Sequence, residues 1–335
     1  MLSSAVKIAA LGGAAWLLRR GIRRRTATDL DGQVVLITGG SRGLGLAMAR
    51  EFAREGCRLV LTARNAEQLE RARKDVHGIT DVLAIPCDVS KREQVDNLVA
   101  QARERFGRID VLVNNAGTIT MGPVETQTEE DFHEALGIMF WGAYYPTMAV
   151  LPEMVRRHEG RIINITSIGG VIGTPHLLPY SAAKSAAIGF SQGLHGELRS
   201  RGVRVTTVIP GFMRTGSYRN AIFKGRHREE YRWFSLGAAV PVTSTTAPRA
   251  ARKIVDAAKH GDATLLITPY VKLVMLANAI SPGLVSFAIG AVGRFLPKPG
   301  GIGAEGRPGY DSETGLTDSF VTVLGRRAAR NYQHQ

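Results

Sequence analysis

Four short continuous apolar runs, and two mainly apolar ones that continue the series, follow one another through most of the chain, with helical stretches between them. They are Val34-Val35-Leu36-Ile37, Leu59-Val60-Leu61, Val82-Leu83-Ala84-Ile85, Val111-Leu112-Val113, Ile162-Ile163-Asn164-Ile165 and Val203 to Ile209. Such runs suit parallel strands covered on both faces, where alternation with polar residues is not needed. Helix starts are marked in the gaps. Asn65-Ala-Glu-Gln opens one helix, and Ser90-Lys-Arg-Glu93 has the pattern of a capping box opening another. Pro248 to His260 reads as a later helix and Leu265-Leu266-Ile267 as a last strand. The pattern predicts an α/β fold, a doubly wound parallel sheet in one domain over residues 29–270.

The 335 residues suffice for one large core, and 44% apolar with 21% charged residues is ordinary for a folded chain. The net charge of +14 is not ordinary, and its location matters more than its size. Six positive charges (Lys7, Arg19, Arg20, Arg23, Arg24 and Arg25) precede the first acid, Asp29. A terminal cluster of this kind points to a membrane surface or a targeting signal. Zinc-ligand spacing and a basic stripe interleaved with aromatics are both missing, so neither a metal nor nucleic acid is expected. Cys57 and Cys87 read as two buried thiols in a reducing compartment.

Outside the domain lie three unlike segments. In residues 1–28, Ile8 to Leu18 is an uncharged apolar run of 11 residues, short of the ~20 needed to span a bilayer. A short membrane anchor, an organelle transit peptide and a disordered tail all remain open for it, with the anchor preferred. Residues 273–293 are 21 consecutive uncharged positions inside an apolar helical extension over 271–296. Ser281-Pro282-Gly283 splits them into two shorter helices, with Ser281 as N-cap. Packing on the domain and contact with a membrane weigh equally here. Residues 297–335 read as a tail, extended from Pro297 to Gly309. Within the domain, residues 212–245 carry no steady period and read as a lid.

The chemistry begins at Thr38-Gly-Gly-Ser-Arg-Gly-Leu-Gly45, which follows the first strand and opens a helix. Glycine there lets backbone approach a pyrophosphate, and the helix N-terminus supplies amides and a favourable dipole. The spacing Gly39-x3-Gly43-x-Gly45 resembles the short-chain dehydrogenase/reductase family. Further stations stand in the family's order: Asp88-Val89 after the third strand, Asn114-Asn115-Ala116-Gly117 after the fourth, Ser167 after the fifth, Tyr180-Ser-Ala-Ala-Lys184 in the next helix, and Pro210-Gly211-x3-Thr215 after the sixth. The match covers roughly residues 31–270. It implies a Rossmann-like fold and a cofactor site made of Gly39, Ser41, Arg42, Gly43, Leu44, Gly45, Arg64, Asp88, Val89, Asn115, Ala116, Gly117, Lys184, Pro210, Gly211 and Thr215. The implied catalytic residues are Ser167, Tyr180 and Lys184.

Tyr180 and Lys184 are four apart and share a helix face. An ammonium there is expected to lower the tyrosine pKa, so that the phenol can exchange a proton with an alcohol or alkoxide. The resemblance gives Ser167 the substrate oxygen and Lys184 the nicotinamide ribose. An NAD-preferring site would place an acid at the end of strand two; here that end is Thr62-Ala63-Arg64. Arg64 and Arg42 offer two guanidiniums for a 2′-phosphate, which favours NADP(H), with NAD(H) still open. One position departs from the family. The asparagine that usually supports a water leading to the lysine is Met139 here, aligned on Gly142, and His133 and Asn114 are candidate substitutes.

The expected activity is interconversion of a ketone and a secondary alcohol. Tyr218, Phe223, Tyr231, Trp233 and Phe234 in the lid suggest an apolar compound such as a lipid, sterol, retinoid or long-chain 3-keto compound. The competing reading is a catalytically weak dinucleotide-binding sensor or scaffold. A homodimer or homotetramer through residues 128–158 and 180–199 follows from the resemblance alone. The expected location is a membrane, with the catalytic domain on the cytoplasmic side; a cytoplasmic or organellar location is the alternative.

Overall fold

The structure, a computed structural model, describes residues 27–239, 244–313 and 331–332. The basic cluster before Thr26 lies outside them. Seven strands form one parallel sheet: β1 (Val34–Thr38), β2 (Arg58–Ala63), β3 (Val82–Pro86), β4 (Val111–Asn114), β6 (Gly160–Ile165), β7 (Val203–Pro210) and β11 (Thr264–Ile267). A short β5 (Thr120–Met121) stands apart from it. The order across the sheet is β3-β2-β1-β4-β6-β7-β11. All five residues of β1 and all six of β6 are buried. This is why their sequences run apolar without alternation.

Helices cover both faces. One apolar cluster joins α1 (Gly43–Arg54), α2 (Ala66–His77) and α8 (Ala247–His260) to the sheet through Leu46, Phe52, Leu69, Ile254 and their neighbours. The other joins α3 (Arg92–Phe106), α5 (Gly142–Arg156) and α6 (Leu178–Leu198) through Val95, Leu98, Val150, Met154 and Ala183. The order of the strands reverses between β1 and β4. In such sheets a crevice opens at the carboxyl ends of the strands on either side of that point.

Asn65 caps α2 as its sequence indicates, accepting from the Gln68 amide at 2.8 Å. The capping box at Ser90 does not form. The Asp88 carboxylate accepts from both the amide and the hydroxyl of Ser90, at 3.0 and 2.8 Å, and α3 begins after Lys91. An acceptor two residues back takes the hydroxyl that would have capped the helix.

Helix α4 (Glu129–Leu136) runs through a π-turn at Gly137–Trp141 into α5. The lid contains more regular structure than its sequence suggests: β8 (Phe212–Arg214), β9 (Ile222–Phe223), α7 (His227–Ala239) and β10 (Ser244–Thr246). Tyr218, Phe223, Tyr231 and Phe234 are buried against one another, with ring centroids 5.4–6.2 Å apart. They form the lid's own core, so the inference from them to an apolar substrate does not hold. Trp233 is exposed.

Beyond β11 stand α9 (Pro269–Ile280) and α10 (Pro282–Gly293), parted at Ser281 as the sequence predicts. Ser281 makes no side-chain cap bond. Packing of this hairpin on the domain is not what the structure contains: α10 buries no residue and α9 buries only Val271. Among the described residues, no helix is long and apolar enough to cross a membrane. The expected extended tail returns to the lid instead, where β12 (Arg307–Pro308) pairs antiparallel with β9. Gly309 fits there because a Cβ would lie 2.1 Å from the Tyr218 carbonyl oxygen.

Candidate active site

A cleft of about 410 Å³ opens at the carboxyl ends of the strands, across the β1/β4 reversal. The loop after β1 enters it with Gly39 and Gly43 at φ of +64° and +57°, a region glycine occupies without strain. A Cβ on Gly39 would come within 3.0 Å of the Ala116 Cα. Thr38 binds this loop to the end of β4: its hydroxyl accepts from the amides of Asn115 and Ala116, at 2.9 and 3.1 Å. The Asn115 side chain donates to the carbonyls of Thr38 and Gly39. Arg42 makes no side-chain cap at the start of α1, and no acid lies in the first turn. A helix start of that kind suits an anion.

Of the sixteen positions expected to hold a cofactor, all but Gly45 line this one cleft. Gly45 is buried beneath it, where a Cβ would lie 2.1 Å from the Gly39 carbonyl oxygen. Its contribution is the close approach of α1 to the loop.

Arg42 and Arg64 converge at the end of β2. The Arg42 pKa is lowered, first by burial and then by the charge of Arg64. Arg42 also donates to Asn220 of the lid at 2.9 Å, and Arg64 lies exposed, 3.9 Å from Glu134.

Ser167, Tyr180 and Lys184 line the inner part of the same cleft. Ser167 stands two residues past β6 and caps the turn that follows, its hydroxyl accepting from the Gly169 amide at 3.1 Å and also bonding the Tyr180 phenol. Lys184 is buried and donates from Nζ to the Ile165 carbonyl at 2.7 Å, with Nζ 5.9 Å from the Tyr180 ring centre. Burial pushes its ammonium down to about 8. The expected lowering of the tyrosine is not found. Burial drives the Tyr180 pKa up, the bond from Ser167 only partly offsets this, and the ammonium is turned to Ile165.

Three contributors carry no signal of their own in the sequence. Gly169 and Gly170 let the turn after Ser167 lie against α6, since a Cβ on Gly170 would meet Lys184 backbone at 2.6 Å. Tyr270, at the start of α9, accepts from the Phe212 amide at 3.1 Å and presses its ring on Gly211.

The Met139 position sits in the π-turn with its side chain buried. It borders a second, small cavity of about 10 Å³, shared with Asn114, Asn164 and Ile165. Asn114 donates to Thr147 and Asn164 at 3.0 and 2.8 Å, and its own Oδ1 is buried without a partner. The cavity is about the size of one water centre. His133 is not a substitute, since it stands exposed beside Glu129.

A reversing parallel sheet, a glycine loop at its crevice and a Ser-Tyr-Lys group on one wall place the chain in the Rossmann-like class of α/β oxidoreductases. The sequence model for short chain dehydrogenases matches residues 33–223, and the chain belongs to that family. It is 38% identical over 206 residues to a "Dehydrogenase/reductase SDR family protein 7-like" of Anopheles gambiae, covering 59% of this chain and 65% of that protein. The region matched is thus just under two thirds of the mosquito protein's length. An "uncharacterized oxidoreductase" of Mycobacterium tuberculosis is 38% identical over 189 residues, covering 56% and 76% of the two chains. A "3-oxoacyl-[acyl-carrier-protein] reductase" of Synechocystis is 37% identical over 195 residues, covering 58% and 79%. Members of this family typically bind NAD(P)(H). The strain-free glycine turns, the acid-free helix start and the residues that line the cleft fit such a dinucleotide.

Proposed function

We propose that the chain is an NADP(H)-dependent oxidoreductase that interconverts a lipophilic ketone and its secondary alcohol. The observation that carries this reading is the meeting of Ser167, Tyr180 and Lys184 in the cleft that also holds the glycine loop. Bound NADP(H) supplies the hydride. The protein's part is the proton and the alignment. Ser167 holds the substrate oxygen beside the Tyr180 hydroxyl. The raised pKa of Tyr180 keeps the phenol protonated at neutral pH, ready to give its proton to the alkoxide that forms as the hydride arrives. The direction this favours is reduction. Lys184 fixes the inner end of the cleft by its bond to Ile165 and brings a positive charge beneath the reacting oxygen.

The preference for NADP(H) is supported by the two converging guanidiniums and by Ala63 where an acid would bind the ribose. The lipophilic substrate is supported by Ile119, Met213 and Ala221 on the cleft wall, not by the lid aromatics. The Synechocystis relative's name, a reductase of a 3-oxoacyl chain, agrees with a long-chain 3-keto compound. The reading includes a location: a membrane surface, with the catalytic domain facing the cytoplasm and its NADPH.

Tyr180→Phe tests the proposal. Turnover of lipophilic ketones with NADPH should fall by roughly a hundredfold or more, while NADPH affinity measured by fluorescence stays close to wild type. Unchanged turnover would remove Tyr180 as the proton donor, whereas a wild-type chain that binds NADPH and turns over no ketone would leave the dinucleotide-binding sensor.

A further inference from the structure

Between Asp262 and Glu305 the chain has three charges, all positive: Lys272, Arg294 and Lys298. Lys272 lies in the first turn of α9, and Arg294 and Lys298 follow the end of α10. Residues 273–293, between these roots, carry no charge. Their outer faces are apolar and bare: Ile280 is 76% exposed, Leu284 66% and Phe287 73%, with Leu273, Leu276 and Val292 also exposed.

We infer that the α9–α10 hairpin inserts into one leaflet of a lipid bilayer and sets the mouth of the cleft against the membrane surface. Three observations name the occupant. A groove on a partner protein covers the apolar face of a single helix, whereas both helices here are apolar outward at once, as suits a lipid environment. The charges stand only at the roots, where basic side chains meet anionic headgroups. Each helix has 12 residues and rises about 18 Å. That matches the ~15 Å of hydrocarbon in one leaflet and falls short of a full crossing.

The roots tie the hairpin to the cleft. At one root Tyr270 binds the Phe212 amide and presses on Gly211, a cleft residue. At the other root Gly293 lies against Pro175, in the segment between Ser167 and Tyr180. An inserted hairpin thereby brings the entrance to the lipid, so that a lipophilic ketone reaches the cleft without passing through water. This delivery step rests on the reductase reading. The insertion does not, and is tested without turnover.

Cys57 and Cys87 are buried, so a single cysteine can be labelled with an environment-sensitive fluorophore in the full-length chain. Phe287→Cys probes the hairpin, and Ile79→Cys, at the end of α2, is the control. With phosphatidylcholine–phosphatidylserine vesicles, the Phe287→Cys label should shift to the blue and be quenched by brominated acyl chains, while the control label changes neither way. Leu284→Asp with Phe287→Asp should lower the vesicle partition coefficient by roughly a hundredfold or more and leave turnover of a water-soluble ketone unchanged. If the protein floats with vesicles while the Phe287→Cys label stays in water, another segment is the anchor and the inference is overturned. It is equally overturned if the label shifts without vesicles as the protein doubles in mass, since a second copy then covers the hairpin. Loss of turnover with insertion intact would instead count against the reductase reading.

Discussion

Lys184 and Arg64 each set a condition on the chemistry that can be measured. The ammonium of Lys184 exists below its pKa of about 8 and is lost above it. Reduction should therefore decline on the alkaline side near pH 8, and not near the 10.5 of a free lysine, in a kcat–pH profile with NADPH saturating. Folding has the opposite slope. The folded-state value lies below the unfolded one, so between pH 8 and 10.5 the unfolded chain binds more protons and stability rises with pH. Lys184→Met should exceed wild type in urea unfolding at pH 7, by up to ~3 kcal/mol, with the gap closing towards pH 10. Cofactor choice is tested by Ala63→Asp combined with Arg64→Ala, which adds an acceptor for the ribose and removes one guanidinium. The NADPH/NADH ratio of kcat/KM should fall by about tenfold or more. An unchanged ratio would mean that Arg42 alone selects. At this scale most of the cleft was legible before the fold was known, because backbone chemistry forces residue type: glycine where φ is positive, a Tyr-Lys pair at one-turn spacing. What was not legible is where a side chain turns. The spacing of Tyr180 and Lys184 predicts a lowered tyrosine, yet burial of both groups and the Ile165 carbonyl decide otherwise.

Elements were legible where burial was uniform. The sheet strands are covered on both faces, so their sequences show it directly. Helix α7 was missed because Tyr231 and Phe234 face a small local core while its other large apolar residues, Trp233 and Leu236, stand exposed. That is too short a stripe to establish a helical period. The π-turn at Gly137–Trp141 has no period to detect at all, and it is where the family's pattern breaks. It brings Met139 to the small cavity beside the unpartnered Asn114 Oδ1. Met139→Asn adds an amide able to donate to that oxygen or to hold a water beside Ile165, the residue whose carbonyl Lys184 binds. The rate of reduction should rise by a few-fold, or its pH profile shift, at a stability cost of ~1–3 kcal/mol for the buried amide. If neither rate nor profile moves, the proton route does not pass through this cavity. The hairpin was half legible: its break at Ser281 was written in Ser-Pro-Gly, but packed and bare apolar helices look alike in sequence, and only the surrounding fold distinguishes them.

For the whole molecule, attachment to a membrane is a matter of how many weak signals act together. A hairpin in one leaflet gives a shallow hold, and stable anchoring takes two signals. The second signal we propose is in residues 1–28, which carry 11 consecutive uncharged residues followed by five arginines. Each basic residue near anionic lipid contributes about 1 kcal/mol, and salt screens that attraction. In the proposed attachment, arginines placed after the apolar run would also set a side, because positive flanks tend to stay in the cytoplasm and the domain would follow them. Deleting residues 1–28 should therefore weaken sedimentation with anionic vesicles without abolishing it. The remaining attachment has two components of different kind. Lys272, Arg294 and Lys298 are electrostatic, so high salt should release part of the shortened protein, whereas the apolar hairpin should hold the rest until detergent is added. A shortened protein that binds as tightly as the full chain would leave the N-terminal segment with no part in anchoring. A full-length protein that stays in the supernatant at low salt would remove the membrane location altogether, and the bare hairpin would then need a protein partner.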